Sequence, residues 1–203
     1  MRTGRLDGSE GGGGLCRRRR SLRRPLCQPR LPGDRLADRV IRTLALRAGK
    51  ALSGAGWTVA VGESCTGGGV SEALTGVPGS SAYFLGGVVA YGNLSKTRDL
   101  DVAEPLLARH GAVSEEVAVA MAEGARRRFG GDVGIGTTGI AGPGGGTPEK
   151  PVGTVCIGVA TPKVRLSHRF RLRGGRDAVR RETVVRALGL LLECVPQRQE
   201  GEG

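Results

Sequence analysis

Ser64 stands in the run Val59-Ala60-Val61-Gly62-Glu63-Ser64-Cys65-Thr66-Gly67-Gly68, where a β-rich stretch gives way to glycines that open a helix. A serine so placed lies on the rim of a sheet and faces a helix N-terminus. The unpaired N–H groups and dipole of that terminus suit a phosphate or a developing oxyanion. Two uses stay open for Ser64: nucleophile, or side-chain cap of the following helix. The segment is not the G-x-S-x-G elbow of α/β-hydrolases, because Gly62-Glu63-Ser64-Cys65-Thr66 lacks the second glycine. Cys65 is a nucleophile in principle, but no histidine neighbours it in sequence to activate it, so Ser64 is the better candidate.

A serine nucleophile needs a base. The two histidines, His110 and His168, fall elsewhere, and arginine stays protonated near neutral pH. Lys50, Lys96, Lys150 and Lys163 are the only lysines. A lysine serves as base once desolvation and nearby cations depress its pKa. Lys96 follows the strand-like Val88-Val89-Ala90-Tyr91 and reaches the same rim as Ser64, with Tyr91 to orient the amine or relay a proton. The alternative for Lys96 is an ordinary solvated surface residue.

A second glycine-rich loop, Thr137-Thr138-Gly139-Ile140-Ala141-Gly142-Pro143-Gly144, follows another strand. It lacks the Lys-Ser/Thr pair of a Walker A loop and reads either as a simple turn or as the other wall of one crevice. In the last helix Val184, Leu188, Leu192 and Val195 form an inward stripe, and stepping back by four gives Arg180 and then Arg176. These arginines either grip a phosphate in a cleft or form an ion pair with Asp177 or another carboxylate.

The elements that must position these groups alternate. Periodicity predicts helices over 36–54, 69–74, 115–129 and 177–194, the third capped by Ser114 with acids in front and Arg126 to Arg128 as a solvated end. Strands are predicted over 57–61, 85–91, 132–138, 152–160 and 164–172. The apolar run 152–160 suits a central strand, with Cys156 as a small buried hydrophobe. The alternation of 164–172 suits an antiparallel strand with one wet face; His168 on its apolar side is a structural histidine, and His110 a loop residue. The fold class that follows is α/β: a three-layer α/β/α sandwich with a mixed, mostly parallel sheet.

The formal charge is +12, yet residues 1–35 hold ten Arg against Asp7, Glu10 and Asp34. That Arg/Gly/Pro-rich head has no hydrophobic periodicity and is expected to be a disordered extension. A nucleic-acid-binding arm and a targeting peptide are its other readings. The domain proper is expected over 36–196, with a disordered tail at 197–203. Six aromatics argue against a single-strand nucleic-acid binder, and no run of about 18 apolar residues exists to span a membrane. Five cysteines at 16, 27, 65, 156 and 194 make no CxxC pair and no zinc spacing, which reads as reduced thiols in the cytoplasm.

Six segments are similar to the C-terminal domain of the competence-damage-inducible protein CinA, the PncC-type nicotinamide-nucleotide amidohydrolase family. They are Glu63-Ser64-Cys65-Thr66-Gly67-Gly68, Val77-Pro78-Gly79-Ser80-Ser81-Ala82-Tyr83-Phe84, Val89-Ala90-Tyr91-Gly92-Asn93, His110-Gly111-Ala112-Val113-Ser114-Glu115, the loop from Thr138 to Gly145, and Pro148-Glu149-Lys150-Pro151-Val152-Gly153-Thr154-Val155. The resemblance implies a homodimeric α/β/α domain that hydrolyses nicotinamide mononucleotide to nicotinate mononucleotide and ammonia, without metal or organic cofactor. It makes Ser64 the nucleophile and Lys96 its base, with Tyr91 nearby. It assigns substrate contacts to Cys65, Thr66, Gly67, Gly68, Thr138, Gly139, and Arg176 or Arg180. The N-terminal domain of full-length CinA, and any pyrophosphatase activity attached to it, is expected to be absent. Between Tyr91 and Lys96 this sequence departs from the family pattern, with Gly92, Leu94 and Ser95 in place of the more usual Ser, Glu and Ala. The rival to catalysis is a nucleotide-binding or regulatory module of the same fold without turnover.

Overall fold

The computed structural model describes residues 32–196, with side chains described from residue 36. The extension expected before residue 32 and the tail from 197 lie outside the described residues. The first helix, α1 (Pro32–Ala55), starts four residues before the expected domain boundary at residue 36. It is followed by β1 (Val59–Glu63), α2 (Gly69–Thr75), β2 (Phe84–Val89), α3 (Asn93–Leu100), α4 (Glu104–His110), α5 (Glu115–Phe129), β3 (Val133–Gly139), β4 (Thr154–Ala160), β5 (Arg165–Arg171) and α6 (Arg176–Cys194).

The five strands form one mixed sheet in the order β2-β1-β3-β4-β5. β1 runs parallel to both β2 and β3, β4 antiparallel to β3, and β5 antiparallel to β4. Four strands therefore point the same way and β4 alone is reversed. Helices α1, α2 and α6 cover one face through Ala48, Leu52, Leu74, Leu188 and Leu191, packed on Val61, Ile135 and Ile157. The other face is closed by α5 and α3 through Val117, Met121 and Leu100 on Ala60. This is the expected three-layer α/β/α sandwich.

The α5 layer lies very close to the sheet, and glycine is the reason. A Cβ on Gly136 would stand 2.0 Å from the Ala118 carbonyl oxygen, and one on Gly134 would stand 2.0 Å from that of Ala122. Small residues on both surfaces let the helix backbone settle onto the strands, where a side chain would hold it off.

The structure departs from the sequence reading in two helices and at His168. Lys96 lies on a helix, α3, and α4 was not foreseen, so His110 closes a helix and places its Nδ1 3.3 Å from Glu116. His168 is exposed on the edge strand β5 and stacks on Phe170 with ring centroids 5.9 Å apart, so it is not a buried structural histidine. Cys156 is buried in β4 as expected, and the Ser114 hydroxyl accepts from the Val117 N–H as the cap of α5. Among the described residues no helix is long and apolar enough to cross a membrane.

Candidate functional site

The sheet order reverses at β1, whose following strand β2 lies on one side and β3 on the other. Crevices in open α/β sheets form beyond the carboxyl ends of strands at such a switch point. Three chain segments leave the sheet there: Ser64 after β1, Ala90 and Tyr91 after β2, and the glycine loop after β3. Ser64, Lys96, Tyr91, Thr66, Arg176 and Arg180 are brought together at this rim, and Thr138 and Gly139 turn to other partners.

The Lys96 side chain, 1% exposed, brings Nζ to 3.3 Å from the Ser64 Oγ. The same nitrogen donates to the Ala90 carbonyl at 3.0 Å and the Tyr91 carbonyl at 3.1 Å. Lys96 makes no ion pair among the described residues. Burial without a carboxylate partner disfavours the charged amine, so the Lys96 pKa falls below the usual lysine value, a shift the nearby Cys65 partly opposes. The solvated-lysine alternative is excluded by this placement. Of the positions that differ from the family pattern, Leu94 is 72% exposed, Gly92 is exposed and Ser95 is half-buried.

Ser64 does not cap α2. The N-cap is Gly68, in a left-handed conformation with φ 98° and without a side-chain cap. Gly67, at φ 60°, and Gly68 make the sharp turn that leaves Ser64 at the strand tip, a backbone path costly for other residues. The Ser64 N–H donates to the Thr137 carbonyl at 2.9 Å, and the Gly67 N–H to the Ser64 carbonyl at 3.1 Å. The backbone N–H groups of Cys65 and Thr66 donate to no backbone carbonyl among the described residues, and they directly follow the serine in the turn, where an oxyanion site takes its donors. Burial pushes the Cys65 thiol up to about 12, so it stays protonated and is no competing nucleophile.

The turn is braced from two further sides. The Thr66 and Thr137 hydroxyls lie 2.7 Å apart, and Arg180 donates to the Thr66 carbonyl at 2.8 Å. Arg176 donates to the Gly142 carbonyl and to the Tyr91 hydroxyl, each at 2.8 Å, so its partners are loop and tyrosine rather than Asp177. Tyr91 thus meets Lys96 through its carbonyl, and its phenol is turned to Arg176 and gives the amine no relay. Thr138 places its hydroxyl on the Ala112 carbonyl at 2.7 Å, while Thr137, on the opposite face by strand alternation, meets the serine turn. Gly139 ends β3 against Val155 and Thr154, where a Cβ would come within 3.0 Å of both.

Sequence reasoning missed Glu63 and Thr137 as parts of the site. Glu63 is fully buried, its carboxylate wrapped by the first turn of α2. The one sequence signal for it is an acid directly before a glycine turn and a helix start, which the reading of Ser64 passed over. Among the described residues no three His, Cys, Asp or Glu side chains gather as metal ligands.

Residues 41–195 match the family described as the CinA C-terminal domain. A CinA-like protein of Anaeromyxobacter dehalogenans is 56% identical over 158 residues, which is 78% of this chain and 37% of that protein. A CinA-like protein of Parasynechococcus marenigrum is 57% identical over 142 residues, 69% of this chain and 34% of the relative. The chain thus spans little more than a third of the length of these relatives. Among solved structures, the competence/damage inducible protein CihA of Agrobacterium tumefaciens is 40% identical with a TM-score of 0.74, covering 76% of this chain and 94% of that one. A CinA superfamily protein of Klebsiella pneumoniae is 34% identical with the same TM-score, 0.74, covering 76% and 97%.

Proposed function

The chain belongs to the CinA C-terminal domain family, and we propose that it hydrolyses the carboxamide of nicotinamide mononucleotide to nicotinate mononucleotide and ammonia. Ser64 is the nucleophile and Lys96 the base. The observation that carries this reading is the buried, carboxylate-free Lys96 amine held 3.3 Å from the Ser64 oxygen.

A neutral amine has two N–H donors and one lone pair. The Ala90 and Tyr91 carbonyls take the two donors, which turns the lone pair toward the Ser64 hydroxyl. Lys96 accepts the Ser64 proton as Oγ bonds to the carboxamide carbon, and the oxyanion lies against the Cys65 and Thr66 N–H groups. Collapse breaks the C–N bond as Lys96 returns the proton to the leaving nitrogen, releasing ammonia. Water then enters, gives a proton to Lys96 and cleaves the acyl-enzyme, which restores Ser64. Arg176 and Arg180 border the crevice with the positive charge that a nucleotide phosphate needs.

The test is ammonia release from nicotinamide mononucleotide by the full chain and by Ser64→Ala. The expected result is turnover that drops by about 10⁴-fold or more in the variant while the fold is retained. Nucleotide binding without ammonia release from the unaltered chain would replace the hydrolase with a binding module.

A further inference from the structure

Glu63 is buried with no basic side chain paired to it among the described residues. Its charge is met by oriented donors instead. Oε2 accepts from the Gly68 and Val70 N–H groups, each at 3.0 Å. Oε1 accepts from the Ser71 N–H at 2.9 Å and the Ser71 hydroxyl at 2.7 Å. The carboxylate therefore reaches across the Ser64 to Gly67 turn and ties the start of α2 back to the end of β1.

The backbone of the same residue holds the other half of the site. The Glu63 carbonyl accepts from the Ala90 N–H at 2.7 Å, and the Ala90 carbonyl in turn accepts from the Lys96 Nζ at 3.0 Å. Serine turn and lysine anchor thus hang from one residue. We infer that Glu63 is a positioning residue for the Ser64–Lys96 pair, an internal anion that fixes the nucleophile turn by taking up the first-turn N–H groups of α2. With those donors satisfied internally, an anionic substrate group is left to Arg176, held by Tyr91 and the glycine loop, and to Arg180, which donates to the Thr66 carbonyl. The inference rests on the proposed Ser64–Lys96 chemistry but not on the choice of substrate.

The test compares the full chain with Glu63→Gln and Glu63→Ala by two readouts. One is ammonia release from nicotinamide mononucleotide; the other is the rate at which an aryl or alkyl sulfonyl fluoride modifies Ser64, followed by mass spectrometry. In Glu63→Gln, which keeps the shape and loses the charge, kcat and the Ser64 modification rate each fall by about 10²-fold, the scale set by displacing a reacting group by about 1 Å. KM stays within about threefold, because the contacts of Arg176 to Gly142 and Tyr91 lie outside the turn that Glu63 fixes. Added formate restores Ser64 modification and thermal stability to Glu63→Ala in a saturable way and leaves the unaltered chain unchanged.

A folded Glu63→Gln that modifies at the normal rate overturns the inference, as does an Ala variant that is restored by no carboxylate. If Glu63→Ala fails to fold, the Gln variant decides alone. An unaltered chain that releases no ammonia but is modified at Ser64 removes the substrate assignment and leaves Glu63 to be judged by modification rate. An unaltered chain not modified at Ser64 counts against both.

Discussion

Arg176 and Tyr91 are joined at 2.8 Å between guanidinium and phenol, and the second guanidinium contact, to the Gly142 carbonyl, closes a strap over the crevice mouth. The strap links the start of α6, the segment after β2 and the glycine loop after β3. Tyr91 is 58% exposed and its phenol meets Arg176 rather than the buried amine, so its expected part is in substrate binding and not in proton transfer.

Separate effects on binding and turnover follow. Tyr91→Phe keeps its backbone carbonyl on Lys96 and is expected to hold kcat within about tenfold, while KM for nicotinamide mononucleotide rises several-fold. Arg176→Ala removes the charge as well and should raise KM by roughly tenfold or more. Steady-state ammonia release over a range of substrate concentrations measures both. A Tyr91→Phe enzyme as inactive as Ser64→Ala would put the phenol back into the proton path.

The pH dependence takes its sign from Lys96. The base must be neutral to accept the serine proton, and burial lowers its pKa from the ordinary 10.5. The rate kcat/KM is therefore expected to rise with pH and level off below 10.5, with the acid limb reporting Lys96. Stability follows by linkage. Between the lowered folded value and 10.5 the unfolded chain binds more protons than the folded one, so this residue makes folding more favourable as pH rises through that window. The variant Lys96→Met lacks the effect. Its melting temperature relative to the unaltered chain should fall steadily as pH is raised toward 10.5, readable by calorimetry at several pH values.

Cys65 offers a negative control beside the nucleophile. Its thiol is buried and pushed up to about 12, so almost none is thiolate at pH 8. Iodoacetamide at pH 8 is expected to leave Cys65 unmodified in the native protein, as mapped by mass spectrometry. Cys65→Ala should keep activity within a few-fold, since the proposed reaction uses the backbone N–H at that position and not the sulfur.

Residue types alone leave Ser64 and Lys96 open between a site and ordinary cap or surface roles, and the structure makes the reason physical. Lys96 is buried by α3, whose sequence Asn-Leu-Ser-Lys-Thr-Arg-Asp-Leu carries two leucines; Leu94 points outward and Leu100 inward, so hydrophobic periodicity gives no helix there. Strand alternation placed His168 on the same face as Leu166 and Phe170. It could not show that β5 is an edge strand whose cover leaves that histidine in solvent. The strongly patterned elements, α5 with its Ser114 cap and the apolar β4, came through nearly intact. Glu63 was the hardest to read, because its charge is balanced by N–H groups that converge only once the Gly67-Gly68 turn has formed.

The glycines of β3 give a prediction about stability alone. Gly136 pairs with Gly62 of β1 on one side and Gly158 of β4 on the other, so three strands present backbone to the same stretch of α5. A methyl group at Gly136 would lie 2.0 Å from the Ala118 carbonyl oxygen and 2.7 Å from the Ala122 nitrogen, both rigid helix backbone. The helix must lift off the sheet to admit it, which loosens Val117 and Met121 from their packing. Such overpacking costs about 3 kcal/mol. For a domain of this size that corresponds to a melting temperature lower by roughly 6–12 °C. Differential scanning calorimetry of Gly136→Ala, with Gly144→Ala in the open glycine loop as the comparison, separates close packing from a general need for glycine. No heavy atom outside its chain neighbours lies within 4 Å of a Cβ at Gly144, so that variant should melt within about a degree or two of the unaltered chain.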